Sequence, residues 1–323
     1  MHILVTGGCG FIGSHIVEHH IASGDSVHVV DDLTTGSLKN IEPFKSHPNL
    51  RFDQADIVTW PELNNSVAKA DLVYHMAAVV GIYRVLAEPI KVISTNIAGT
   101  ERVLRAVAAR GNHQRIIIAS SSEVYGHSQK DLLSETDHLI VESAAQPRWS
   151  YAISKLADEA LGIAYSRAAG MKLTIIRLFN TVGPRQSGRY GMVLPRFIKQ
   201  AVSGEPMTIF GDGTQTRCFS DVRDIVASLA KLAENPKAIG EIVNVGKDHE
   251  ITINELATIV RERANSNSNM VYIPYEKAYT SDFVDIKKRH PDLTKFKSLT
   301  NYNYKWTLEK TIDDLITMEL ETK

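Results

Sequence analysis

An α/β fold, a doubly wound parallel sheet with a smaller C-terminal substrate domain, is predicted by three features of the 323-residue sequence. The short apolar run His2-Ile3-Leu4-Val5 turns directly into a helical pattern carried by Phe11, Ile12, Ile16 and Ile21. Three spaced glycines, Gly7, Gly10 and Gly13, make that turn. Strand-like and helical runs then alternate five times, which is the pattern of parallel strands joined by crossover helices.

The glycine turn points the free N–H groups of the first helical turn, at Phe11 and Ile12, toward whatever sits above the strand. A pyrophosphate suits that place. Gly7 permits the tight turn, Gly10 lets a phosphate approach the backbone, and Gly13 lets the helix lie close to the sheet. Its spacing, Gly-x-x-Gly-x-x-Gly, departs by one residue from the commonest dinucleotide fingerprint. The second strand, Ser26 to Val30, ends in Asp31-Asp32-Leu33, where an acidic side chain takes the adenosine ribose hydroxyls. Asp31 would also repel a 2′-phosphate, so NAD is expected and not NADP.

A third strand from Leu50 ends at Asp56 and Ile57, an acceptor and an apolar wall for adenine. The fourth, from Asp71, ends in the small residues Ala77 and Ala78, which suit close approach of a cofactor. A helix from about Pro89 to Arg110 buries Ile93, Ile97, Val103, Leu104 and Val107 and carries Asn96 in its apolar face. Asn96 either orders a group near the site or satisfies a core hydrogen bond. The fifth strand, Arg115 to Ser120, continues into Ser121-Ser122-Glu123, and a sixth unit is the helix Tyr151 to Ala168 with the strand Leu173 to Leu178.

After Phe179 the pattern changes. Residues 180–216 are rich in Gly, Pro and Arg around a helix near Pro195 to Ser203, as expected of a substrate loop region. A helix over Ser220 to Glu234 and a late strand, Glu241 to Val245, return to the first sheet, and helices near Ile253 to Ala264 and Leu308 to Leu320 complete the chain. The expected division is 1–179 plus about 217–247 for the cofactor and about 180–216 plus 248–323 for the substrate. The basic clusters at 261–263 and 287–289 read as solvated faces.

With 36 basic and 37 acidic side chains the net charge is −1, so neither nucleic acid nor an anionic membrane is an expected partner. A cytoplasmic location follows from the lack of a secretory or membrane-spanning pattern. Cys9 and Cys218 are too few for a disulfide framework and lack metal-ligand spacing, so no metal is expected. Cys9 reads as a small filler of the glycine turn.

Tyr151 and Lys155 lie one helical turn apart, placing an ammonium beside a phenol. A neighbouring cation favours the phenolate, giving a general base for a hydroxyl proton. Extended geometry would put Ser121 and Glu123 on one side of the fifth strand, with Ser120 and Ser122 on the other. Ser121 is then the hydroxyl that holds a substrate oxygen beside Tyr151, and Glu123 a second acid-base group or a structural carboxylate.

Together TGGCGFIG at 6–13, DDL at 31–33, HMAA at 75–78, SSSEVYG at 120–126, YAISK at 151–155, LFNTVGPR at 178–185 and FGDGTQTRCFSDVRD at 210–224 resemble the extended short-chain dehydrogenase/reductase family. The likeness is to its nucleotide-sugar epimerases, dehydratases and decarboxylases. It implies a Rossmann fold, a tightly held NAD, hydride removal from C4 of a nucleotide sugar, and a homodimer through the helices starting near Ile93 and Tyr151. It also implies that Lys155 holds the nicotinamide ribose, that Asn180, Leu194 and Arg217 line the sugar-nucleotide site, and that Arg185 and Arg189 either contact phosphate or a sugar carboxylate or fix their loop; Ser122 either contacts substrate or, like Ser120, bonds backbone at the strand end. Ser121 sits where a 4-epimerase commonly carries Ser, whereas Glu123 and Pro147-Arg148-Trp149 resemble a uronate decarboxylase. A 4,6-dehydratase typically places Asp-Glu where this chain has Ser122-Glu123. The sequence ranks 4-epimerase narrowly first, UDP-glucuronate decarboxylase second and dehydratase third.

Overall fold

A computed structural model of the protein describes residues 1–111, 114–279 and 285–321. The first half runs β1 (His2–Thr6), α1 (Phe11–Ala22), β2 (Ser26–Asp31), β3 (Leu50–Gln54), α2 (Leu63–Lys69), β4 (Leu72–His75), α3 (Ile82–Ala87), α4 (Pro89–Ala108), β5 (Arg115–Ser121), α5 (Ser150–Ala169) and β6 (Lys172–Leu178). The chain continues through β7 (Thr181–Val182), α6 (Val193–Ser203), β8 (Met207–Phe210), β9 (Thr216–Cys218), β10 (Ser220–Asp221), α7 (Val222–Glu234) and β11 (Ile242–Val245). It ends with β12 (Glu250–Thr252), α8 (Ile253–Arg263), β13 (Met270–Ile273), α9 (Tyr275–Ala278), α10 (Thr294–Thr300) and α11 (Leu308–Glu321).

Seven strands pair in parallel in the order β11-β6-β5-β4-β1-β2-β3, so the late strand joins the sheet beside β6 as the sequence suggests. Side chains alternate across this sheet with period two. Ile3 and Val5 of β1 enter one core with Ile16 and Val17 of α1 and Ile225 and Leu229 of α7. Leu4 enters the other with Leu63 of α2 and Val103 and Leu104 of α4. Both faces are therefore covered, as a parallel sheet requires. A third core joins Leu194 and Phe197 of α6, Leu256 and Val260 of α8, and Ile312 and Ile316 of α11.

β1 pairs β2 on one side and β4 on the other, so the strand order reverses there and a crevice opens at the carboxyl ends. The later region holds more structure than its composition suggests. β7 pairs β10, β9 pairs β12 and β8 pairs β13, each over two to four residues, too short for hydrophobic alternation to reveal. Among the described residues no helix is long and apolar enough to cross a membrane.

One buried ion pair ties the sheet to α5. Arg177 of β6 donates to both carboxylate oxygens of Glu159 at 2.9 and 2.7 Å, and Ser120 Oγ donates to Glu159 at 2.6 Å. Removing one member leaves the other charge buried and uncompensated. Arg177→Met should therefore cost about 3–5 kcal/mol. A urea unfolding midpoint equal to the parent's would contradict this.

Candidate active site at the carboxyl edge of the sheet

Gly7 has φ +71°, and a Cβ there would lie 2.7 Å from the backbone nitrogen of Ala77, so β1 and β4 approach too closely for any side chain. A Cβ on Gly13 would fall 2.1 Å from the Gly7 carbonyl oxygen, which is why α1 can seat on the turn. Gly10 is the N-cap of α1 and no side chain caps that helix, leaving its first N–H groups available to an anion. Cys9 points into the core; burial, followed by the nearby Asp31 charge, pushes its thiol up to about 12, so it is inert packing.

Asp31 is buried and accepts hydrogen bonds from the N–H groups of Cys9 and Leu33 at 2.9 and 2.8 Å. Burial raises its pKa against those bonds. Asp32 accepts from the Thr34 N–H and hydroxyl at 2.8 and 2.6 Å. Asp56 accepts from the Val58 N–H at 2.8 Å, and Ile57 packs so closely on α4 that a Cβ on Gly99 would fall 2.8 Å from its Cδ1. These residues line one cleft of about 500 Å³ with Ala77 and Ala78. A dinucleotide fits this cradle: an uncapped helix end, glycines where Cβ atoms would clash, and a carboxylate at the end of β2. Leu33 departs from the expectation. It adopts φ +61° and packs against the core beside α1, away from the cleft lining.

Asn96 lines the cleft, where it orders the Val79 backbone and at the same time satisfies its own buried amide. Its amide nitrogen donates to Val79 O and Ser154 Oγ at 3.2 and 3.0 Å and its oxygen accepts from the Val79 N–H at 2.7 Å, fixing the loop after β4 to α5. Tyr151 and Lys155 face the same cleft from α5. Lys155 is buried and donates to Asp158 at 3.0 Å. Burial raises the Tyr151 pKa; Lys155 and a hydrogen bond with Ser121 pull it down, while Glu123 and Asp158 push it up. The net direction is upward, so the lysine alone does not bring this phenol into the working range.

The expected alternation at 120–123 fails after Ser121. β5 ends there, a 3₁₀ turn spans Ser122–Tyr125, and Ser121 Oγ accepts from the Glu123 N–H at 3.2 Å. The turn brings Ser121, Ser122 and Glu123 all to the cleft. Glu123 accepts from Arg148 at 2.9 Å and from Arg289 at 2.6 Å. Burial would raise its pKa, yet the two guanidiniums hold it at about 2, so it stays a carboxylate. Arg289 corrects the reading of 287–289 as a solvated face. It reaches inward to Glu123, its pKa lowered to about 10 by burial.

Asn180 and the fully buried Leu194 also line the cleft. Arg217 lines it too and pairs with Asp285, its Nη2 donating to both carboxylate oxygens at 3.0 Å. Phe210, Tyr275 and Tyr279 complete that end, with Arg196 stacked 3.8 Å over the Phe210 ring; of these only Phe210 fell within a motif. Arg185 does not join them. With φ +68° it turns back and pairs with Glu18 of α1 at 2.6 Å, the loop-fixing reading of the two. Arg189 is exposed and off the cleft lining. Among the described residues no His, Cys, Asp and Glu side chains cluster as a metal site.

The profile of the NAD dependent epimerase/dehydratase family matches residues 3–246. The chain is 38% identical to UDP-N-acetyl-alpha-D-glucosaminuronate decarboxylase of Bacillus cytotoxicus, over 94% of this chain and 93% of that protein. It is 36% identical to UDP-glucuronic acid decarboxylase 2 of Arabidopsis thaliana, over 96% of this chain and 66% of that protein. Its fold superposes with a TM-score of 0.89 on UDP-glucuronic acid 4-epimerase from Bacillus cereus, solved with UDP-glucuronic acid and NAD, at 27% identity and covering 100% of each chain. A glycine cradle built for a dinucleotide, a Tyr151–Lys155 pair at its centre and a family match across most of the length lead to one conclusion: this chain is an NAD-dependent enzyme of the epimerase/dehydratase family.

Proposed function

We propose that the protein acts on a nucleotide-linked hexuronate through a transient 4-keto sugar, and that the outcome is decarboxylation. The observation that carries this reading is the cluster of Glu123, Arg148 and Arg289. Among the described residues three guanidiniums, Arg148, Arg217 and Arg289, face two carboxylates, Glu123 and Asp285, in the same cleft as Ser121 and Tyr151, which supports an excess of positive charge there. A neutral hexose makes no use of that charge, but a C6 carboxylate does.

Bound NAD supplies the hydride acceptor for C4, the donor for its return and the positive charge of the oxidised ring. Gly7, Gly10, Phe11, Ile12, Gly13, Asp31, Asp32, Asp56, Ile57, Ala77 and Ala78 would hold it, with Lys155 at the nicotinamide ribose. Asn180, Leu194 and Arg217 would take the sugar nucleotide. Tyr151, as phenolate, takes the 4-hydroxyl proton, and Ser121 donates to the same oxygen. With a ketone at C4 the sugar is a β-keto acid. The C5–C6 bond breaks, its electron pair passes into a C4–C5 enolate, CO2 departs and C5 takes a proton from solvent; Tyr151 gives its own proton back to the 4-oxygen when C4 is reduced again. Tyr151 and Ser121 stabilise the enolate oxygen. Glu123 favours this path because it already occupies both arginines, leaving the substrate carboxylate incompletely compensated until CO2 departs. Held ionised, it is also unsuited to protonate a leaving hydroxyl, which argues against a dehydratase.

The second reading is 4-epimerisation, which Ser121 and the likeness to the UDP-glucuronic acid 4-epimerase support. The third core, built from α6, α8 and α11, supports a separate substrate part, while Leu293 and Phe296 pack into the core of the cofactor part, 1–179 plus about 217–247. Ile90 at the start of α4, 83% exposed, supports a homodimer through α4 and α5, which a single-chain mass in solution would contradict. Incubation with UDP-glucuronate, UDP-N-acetylglucosaminuronate and UDP-glucose, read by mass spectrometry and proton NMR, separates the readings. Loss of CO2 from a uronate is expected; unchanged mass with a new sugar spectrum selects the epimerase, and no change in any nucleotide sugar overturns both.

A further inference from the structure

Beneath the Tyr151–Lys155 pair lies a buried carboxylate that the reaction above leaves without a task. Asp158 is 1% exposed and accepts from Lys155 Nζ at 3.0 Å, while its Oδ1 atom has no hydrogen-bond partner among the described residues. Its neighbour on α4 is the Thr100 hydroxyl, which lies 3.0 Å from His75 Nε2; His75 Nδ1 in turn lies 2.7 Å from Thr6 Oγ1 on β1. Thr6, His75 and Thr100 are all buried. Burial, and then Lys155, push His75 down to about 3, so this strut stays uncharged across the working range of pH. It runs from the strand that leads into Gly7 to the floor under the catalytic lysine.

We propose that Asp158 is a positioning residue that sets the proton affinity of the Tyr151–Lys155 pair from beneath, holding the ammonium in place and offsetting part of its field at the phenol. This rests on Tyr151 being the base. The other charges around the pair are committed elsewhere. Glu123 is bound to Arg148 and Arg289, Glu159 on α5 is bound to Arg177 from β6, and His75 from β4 is neutral. Asp158 is thus the charge directly bonded to Lys155. Burial raises its own pKa, while Lys155 and Thr100 lower it. The phenol and the ammonium titrate as a coupled pair, and removing a negative charge beside them lowers the proton affinity of both.

The test titrates the phenolate absorbance of Tyr151 in the NAD-loaded protein, as the difference between each form and the same form carrying Tyr151→Phe. Asp158→Asn and Asp158→Ala should move the midpoint to lower pH, and Asp158→Glu, which keeps the charge, should leave it near the parent value. The acid limb of kcat should move with the midpoint while KM holds. A midpoint that stays put or rises in the neutral variants, or loss of folding in both, overturns the proposal. The titration needs no turnover, so a shifted midpoint in a protein that converts no nucleotide sugar would sink the proposed function and leave the role of Asp158 standing.

Discussion

Tyr151→Phe should lower turnover by about 10²–10⁴-fold, the range a positioned proton acceptor contributes. The phenol lies in the cleft beside Ser121, and its ring packs with Val79, Val85 and Val92. Phenylalanine keeps that packing, so the unfolding midpoint and the affinity for NAD and UDP should hold. The loss then belongs to kcat, because the hydroxyl acts on the 4-oxygen and not on the nucleotide. Turnover within a few-fold of the parent, measured at saturating substrate, would mean that another group takes the proton.

Glu123→Gln should act on the outcome more than on the first oxidation. The amide carries no charge to bind Arg148 and Arg289, so both guanidiniums become available to a sugar carboxylate. The ground state is then held more tightly and CO2 leaves more reluctantly. KM for the uronate should fall together with the rate of CO2 release, the latter by about 10²-fold, the signature of a removed ground-state strain. A 4-keto sugar that persists longer has time to turn over, so C4-epimer should accumulate. CO2 release at the parent rate would show that Glu123 does not direct the reaction.

Much of this was legible in the sequence because the dinucleotide cradle is local. Gly7, Gly10, Gly13 and Asp31 lie within one strand-helix-strand unit, and the period-two and 3.6 patterns around them fix where they meet. Tyr151 and Lys155 are likewise one helical turn apart. The sequence could not give the fate of Arg289, because its partner Glu123 is 166 residues away and only the folded chain brings them together. Ser122 departs from the alternation for a different reason: the alternation of a strand holds only until its last residue, and a 3₁₀ turn begins one residue later. Residue type alone left Arg185 open between anion contact and loop fixing, and a left-handed backbone that turns it onto Glu18 favours the second. Small strand pairs such as β7 with β10 carry too few residues for any period.

The central claim is that a hydride leaves C4 and returns to it within one turnover. UDP-glucuronate carrying deuterium at C4 measures this directly. The protein should release a product that retains deuterium at C4, has lost CO2 and is formed with no net accumulation of NADH. Product that has exchanged its C4 deuterium for a solvent proton, or NADH formed in step with product, would contradict the account.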